Sequence, residues 1–285
     1  MVITSESAPE VLHHYTSATG LMGIITNRCI WASSIYYLND SRELSYAQDL
    51  FRQVASDLLD SADKTEPEIS AKWRDGLDPI LAKRSLDRVY PFVLSLTAQG
   101  DLLSQWRAYA AAPGSFAIGF HTKALMSVLP TGFVLRPCVY SEEQQRARLQ
   151  SLLLGTKPKS GQTKNFHVGW VRLSMAFTQE LAAVFKHPSF FQEEEWRCIS
   201  PWFGGKYGWA EDVEPPKLEV RGGASTLIPY VKLKIPEDVM PSLISVVRVG
   251  PTPHVDLAVR AAKNFLREHG INAEAVPSTI PFRGW

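Results

Sequence analysis

Cysteine is scarce in this chain, with only three in 285 residues. Cys29, Cys138 and Cys198 are odd in number, far apart and set among apolar neighbours. That pattern excludes a disulfide-stapled secreted domain and reads as reduced thiols. An excess of one charge is also lacking: 30 Lys and Arg face 29 Asp and Glu, a net +1. Such a balance offers no general attraction for nucleic acid or an anionic membrane and leaves only a local basic patch open. No uninterrupted apolar run approaches membrane-spanning length, and the opening Met1-Val2-Ile3-Thr4 lacks the features of a signal peptide. These absences predict a cytoplasmic protein with no membrane partner.

Familiar catalytic signatures are missing too. No glycine fingerprint joins a strand to a helix: Gly20-Leu21-Met22-Gly23 lies inside a predicted helix, and Gly204-Gly205 lacks the lysine of a phosphate loop. There is no Gly-x-Ser-x-Gly elbow, no His-Glu-x-x-His and no cysteine in a nucleophile setting. His13, His14, His167 and His187 would have to converge from distant positions to bind a metal, so none is expected.

What is present is a chain 45% hydrophobic and 21% charged, enough to bury a full core. Strand patterns fall at 11–15, 29–33, 89–97, 115–120, 132–140, 217–221, 226–235 and 243–249, with Ser17 as a helix cap after the first. Helical periodicity marks two segments after Ser41, a short helix at 102–111, and the strongest stripe of all, Phe166, Trp170, Leu173, Phe177, Leu181 and Val184. Ser141 with Gln144 forms a capping box. A last helix starts at Thr252-Pro253 and stops at Gly270, before an extended tail. Residues 155–164 are the only linker-like stretch, and 201–216 reads as a Gly/Pro-rich surface loop. Strands and helices alternate without a regular β-α-β rhythm, there is no internal repeat and no clean boundary. The prediction is one α+β domain over 1–285, with a mostly antiparallel sheet and helical elaborations at about 41–88 and 141–187.

The stretch with most chemical content is Phe190-Phe191-Gln192-Glu193-Glu194-Glu195-Trp196-Arg197-Cys198-Ile199. Read as a strand, it sends Glu193, Glu195 and Arg197 to one face and Trp196 and Cys198 to a buried one. A face with two carboxylates and an arginine is either a solvated salt-bridge ladder or an active site. Elsewhere, His13-His14-Tyr15-Thr16 ends the first strand just before a helix N-terminus; alternation lets at most one of the two histidines face a given pocket. Tyr36-Tyr37-Leu38-Asn39-Asp40 reads as a turn in which Asn39 or Asp40 caps a helix. In Ser104-Gln105-Trp106-Arg107-Ala108-Tyr109, Trp106 and Tyr109 lie three apart on a helix, either as a packed pair or as a face for an aromatic or cationic ligand.

Eight segments in this order carry a resemblance: His13-His14-Tyr15-Thr16-Ser17, 37–43 (Tyr-Leu-Asn-Asp-Ser-Arg-Glu), 94–97 (Leu-Ser-Leu-Thr), 102–109, 114–120 (Gly-Ser-Phe-Ala-Ile-Gly-Phe), 186–190 (Lys-His-Pro-Ser-Phe), Glu193 to Arg197, and 277–283 (Pro-Ser-Thr-Ile-Pro-Phe-Arg). Together they resemble a bacterial domain-of-unknown-function family grouped by similarity with the ADP-ribosyltransferase-like superfamily. The resemblance implies a split, mostly antiparallel sheet and cleavage of the nicotinamide glycosidic bond of NAD, as substrate, with transfer of ADP-ribose to a protein or nucleic-acid acceptor. It implies a bacterial toxin or phage-defence setting. By the superfamily's pattern His14 bonds the adenosine ribose, Tyr109 stacks on nicotinamide with Tyr37 as its rival, and Glu195 is the catalytic carboxylate; Glu193, two residues earlier on the same face, is placed to orient an acceptor or act as its base. Tyr15, Thr16, Ser95, Ser104 and Trp106 complete the nucleotide-binding set, and Arg107 meets the pyrophosphate. The alternatives are an NAD glycohydrolase, which uses water as acceptor, and a non-enzymatic nucleotide-binding or interaction module.

Overall fold

The structure, a computed structural model, describes residues 8–38, 43–81, 91–109, 114–158, 181–201, 216–223 and 225–281. Strand β1 (Val11–Ser17) runs into helix α1 (Ala18–Asn27), where the Ser17 hydroxyl caps the first turn by accepting from the Gly20 amide at 3.1 Å. Arg28, in the left-handed region at φ 47°, ends that helix and starts β2 (Cys29–Ser34). A 3-10 turn (Ile35–Tyr37) leads towards two amphipathic helices, α2 (Glu43–Thr65) and α3 (Pro67–Leu81). Then come β3 (Phe92–Thr97), α4 (Leu103–Tyr109), β4 (Ser115–His121), α5 (Thr122–Val128), β5 (Val134–Pro137) and α6 (Glu142–Leu154). A second 3-10 turn (Pro188–Glu193) feeds β6 (Glu195–Ile199), followed by the hairpin of β7 (Leu218–Gly222) and β8 (Leu227–Lys234). The chain closes with α7 (Met240–Leu243), β9 (Ile244–Val249), α8 (Val255–Glu268) and β10 (Glu274–Pro277).

Among the described residues ten strands join one sheet whose order is β10-β9-β4-β1-β3-β2-β8-β7, with β6 on β3 and β5 on β6. Among the described strands only β9 and β10 pair in parallel, so the class is α+β with a mixed, mostly antiparallel sheet. The sheet branches at β3. One edge of β3 pairs with β6 along its length, from Val93↔Ile199 to Thr97↔Glu195. Along the other edge β2 holds the start (Ser34↔Phe92, Ser33↔Val93), and β1 touches only the end (His13↔Thr97). β1 and β2 therefore diverge, and the middle of β3 forms the floor of a cleft between them.

Side-chain alternation gives each sheet face its own core. Leu94, Leu96 and Cys198 point to a large core shared with α1, α5 and α8. Val93 and Ile199 point to a second core built by α2, α3 and α6 around Phe51, Trp73 and Leu149. The described helices of the two predicted elaborations, α2, α3 and α6, thus cover the sheet's second face. Ser141 caps α6 as its spacing suggests, accepting from the Gln144 amide at 3.3 Å. The strand predicted at 132–140 is shorter, spanning Val134–Pro137; beyond it the Cys138 amide still donates to the Glu195 carbonyl at 2.8 Å, and Val139 then turns to an isolated bridge with Phe185. Residues 166–180 of the strongest predicted helix, Asn39 and Asp40 as caps, and most of the 201–216 loop lie outside the described residues. Among the described residues no helix is long and apolar enough to cross a membrane, and the three cysteines are free and buried.

The β3–β6 ladder ends in a side-chain substitute: the Ser200 hydroxyl accepts from the Phe92 amide at 2.8 Å and donates to the Pro201 carbonyl at 2.8 Å, all of it buried. Ser200→Ala would strand the Phe92 N–H without an acceptor. The expected loss is about 1 to 3 kcal/mol in denaturant unfolding, and an unchanged midpoint would show that this bond does not tie the two strands.

Candidate active site in the split of the sheet

The cleft at the split has a volume of about 720 Å³ and is walled by β1, β2, β3, α1 and the start of β6. Its floor follows from the ladder. The bonds from Ala98 N to Glu194 O and from Ser200 N to Phe92 O set the register in which Ser95 turns its own amide and carbonyl away from β6, towards the cleft. That carbonyl accepts from Nδ1 of His14 at 3.0 Å. Burial lowers the His14 pKa despite the backbone bond, which raises it, so the ring is neutral at pH 7. With Nδ1 donating, Nε2 is left as an acceptor, suited to a ligand hydroxyl. The neighbouring Thr16 approaches α1 so closely that a Cβ at Gly20 would meet its Oγ1 at 1.9 Å; glycine makes this wall possible.

At the β6 end the cleft meets a buried ionic network. Arg197, 1% exposed, donates through Nε to Glu195 Oε1 at 2.8 Å and through Nη2 to Glu195 Oε2 at 3.0 Å and Glu43 Oε2 at 2.6 Å. Its Nη1 donates to the Ala183 carbonyl at 2.8 Å. Lys186 donates to Glu195 at 2.6 Å and Glu193 at 2.5 Å, and its ammonium lies 3.3 Å from Glu43. Gln145 of α6 fixes this lysine's backbone, donating to the Lys186 carbonyl at 2.9 Å and to the Val139 carbonyl at 2.5 Å. Three carboxylates thus share two cations, leaving one excess negative charge when all are ionised.

The two glutamates of the motif differ in state. Burial pushes the Glu195 carboxyl up, but Arg197 and Lys186 together outweigh it and hold it at about 2. Glu193 goes the other way: burial raises it first, Lys186 offsets part, and Glu195 and Glu43 push it higher. Its side chain is 21% exposed, against 7% for Glu195. Among the described residues its side-chain bonds run through Oε2 alone.

The sequence-based set divides. His14, Tyr15, Thr16, Tyr37, Ser95, Glu193 and Glu195 line the one cleft, and Tyr37 is 40% exposed. His13 borders it as well, although the expectation admitted only one of the two histidines; its ring is wedged against Gly100 and Gly119, and burial lowers its pKa to about 4. Trp106 is a packing residue and not a cleft aromatic: it is fully buried, donates to Asp101 at 2.7 Å and meets Tyr15 edge-on at 4.6 Å. Tyr15 borders the cleft, but its hydroxyl is spent on support, donating to Gln99 O at 3.0 Å and accepting from Leu102 N at 2.9 Å. Ser104 and Arg107 sit exposed on α4 and do not line the cleft, which takes Gln105 and Ala108 from that helix. The Tyr109 side chain lies outside the described residues. Glu193 is not in the strand: Pro188 starts a 3-10 turn, and Glu194 at φ 41° breaks the alternation before β6 begins. The turn nonetheless returns the Glu193 carboxylate to the site. The face expected as a possible solvated ladder is buried under α2 and residues 181–186. Glu43 and Lys186 escaped sequence reasoning as site residues, although both stand in the resemblance-bearing segments. Among the described residues no group of His, Cys, Asp or Glu is placed to hold a metal ion.

An α+β protein with an ionic cleft in a branched sheet is therefore the class that fold and site define. Residues 105–198, which span α4 to β6, match a family described as a protein of unknown function, DUF2971. No curated protein and no solved structure matches the chain.

Two stability effects follow from the network. Arg197→Met leaves the buried Glu43 and Glu195 and the half-buried Glu193 with Lys186 alone and should cost about 3 to 5 kcal/mol in unfolding. Because the folded Glu195 carboxyl is depressed from 4.5 to about 2, its contribution is present above pH 4.5 and lost as pH falls towards 2. The stability gap between wild type and Glu195→Gln should close over that window; a gap independent of pH would contradict the ionised assignment.

Proposed function

We propose that the cleft binds NAD as a substrate and that the protein is an ADP-ribosyltransferase, passing ADP-ribose to a protein or nucleic-acid acceptor. The observation that carries this reading is the excess negative charge held at one end of a cleft whose wall presents a neutral histidine. The branched, mostly antiparallel sheet with its cleft at the split agrees with the superfamily that the motifs resemble. A cleft of about 720 Å³ is within the roughly 300–1,000 Å³ range of small-molecule sites.

In this reading the bond between nicotinamide and ribose breaks with its electron pair going to the nicotinamide nitrogen, which leaves a cationic, oxocarbenium-like centre on the ribose. Glu195 cannot be neutralised near pH 7 and cannot swing, since both its oxygens are bonded. It supplies a preorganised negative potential that favours the cationic transition state over the ground state. Glu193, with its raised pKa and greater exposure, takes the proton from the acceptor as it attacks. Nε2 of His14 accepts from a ribose hydroxyl. Tyr37 is an exposed cleft aromatic able to stack on the nicotinamide ring.

The test is incubation with NAD, following nicotinamide release with and without protein, DNA or RNA acceptors. Glu195→Gln should slow release by ~10²- to 10³-fold, with unfolding measured alongside to show that the variant is folded. Glu193→Gln should impair transfer more than release. His14→Ala should weaken NAD binding by about 5- to 10-fold. Release that needs no acceptor would mark a glycohydrolase. Unchanged release by Glu195→Gln, or none by the parent protein with any acceptor, would overturn the reading, and retained NAD binding in the latter case would favour a binding module.

A further inference from the structure

Among the described residues three cations line the cleft: Lys186, Arg197 and Arg221. The first two are consumed by Glu43, Glu193 and Glu195. Arg221 is different. It projects from the edge strand β7, its Nη2 donates to the Ser33 hydroxyl at 3.1 Å, and its guanidinium lies 5.7 Å from the centre of the Trp31 ring. Trp31 is in turn backed by Tyr230 at 4.5 Å between ring centres. The acid two residues before it on the same face, Glu219, is already held by Lys232 at 2.8 Å and by the Tyr230 hydroxyl at 3.0 Å. Among the described residues no carboxylate pairs with Arg221, and its Nε is shut from solvent without a hydrogen-bond partner.

A planar cation braced by a hydroxyl and an aromatic ring, with unspent donors on a cleft wall, suits an oxyanion. Its place sets it apart from the carboxylates. Ser33 pairs with Val93 at one end of β3, and Glu195 pairs with Thr97 at the other. Those two positions are four residue steps apart along β3, about 13 Å at the backbone. The cleft is thus polarised, anionic at the β6 end and cationic at the β2 end. We propose that Arg221, braced by Trp31 and Ser33, binds the phosphate groups of a nucleotide in this cleft. The proposal deepens the reading of the cleft as an NAD site and rests on it for the ligand class. It also replaces Arg107, which stands outside the cleft, in the role of meeting the pyrophosphate.

The test uses the full chain and two probes, adenosine and ADP, with binding measured by calorimetry at low and high salt. Wild type should bind ADP more tightly than adenosine, by an advantage that shrinks as salt rises. Arg221→Gln should lose about tenfold or more in ADP binding while binding adenosine and unfolding as wild type does. Arg221→Lys should recover only part, since an ammonium keeps the charge but not the planar fork. Equal ADP binding by wild type and Arg221→Gln, or no ADP binding by wild type, would overturn the assignment. Arg221-dependent ADP binding in a protein that releases no nicotinamide would sink the transferase reading and leave this one standing. Nicotinamide release with a KM for NAD unmoved by Arg221→Gln would do the reverse.

Discussion

Arg197 places a permanent charge between a sheet and a helix layer, where it is almost wholly buried. A guanidinium cannot shed its proton to escape burial, so each donor needs an acceptor. The fold supplies them from three separate parts of the chain: Glu43 at the start of α2, the Ala183 carbonyl, and Glu195 two residues away on the same strand. Meeting that requirement docks α2 onto β6 and fixes the segment that carries Lys186. The same contacts that satisfy the arginine leave carboxylates facing the cleft, so the stability of the second core and the electrostatics of the site cannot be separated.

The cleft itself is a consequence of strand pairing. β3 has one fully paired edge and one shared between two strands that diverge, which leaves the Ser95 backbone facing an opening rather than a neighbour. A buried, unpaired carbonyl is costly, and His14 provides its partner. That bond sets the tautomer, so the acceptor nitrogen presented to a ligand follows from the branch in the sheet.

Much of this was legible in the residue pattern. Period-two alternation located the strands and put Trp196 and Cys198 towards a core, and Ser17 and Ser141 marked helix starts by their capping chemistry. The buried state of the opposite face was not legible, because alternation says which residues share a side and nothing about what covers it. Glu43 reached the site through a contact 154 positions away in sequence, and Lys186 through a segment whose backbone is held by Gln145. Trp106 misled for a related reason: helical spacing gives it a face, but only the distant Tyr15 and the local Asp101 decide that this face is shut. Glu193 was grouped correctly with Glu195 by a route that fails at Glu194, whose left-handed backbone ends the turn.

The difference between Glu193 and Glu195 is a matter of how one lysine is shared. Both carboxylates touch Lys186, but only Glu195 also holds Arg197, and it is the more buried of the two. Burial alone would raise both. Two cations reverse that tendency for Glu195, whereas one cation and two neighbouring acids leave it in place for Glu193. The site therefore holds a carboxylate that stays charged beside one able to accept a proton. Pairs whose environments drive their pKa values apart are the arrangement that separates an electrostatic stabiliser from a base. Here the separation is produced by Arg197, the residue on which the packing also depends.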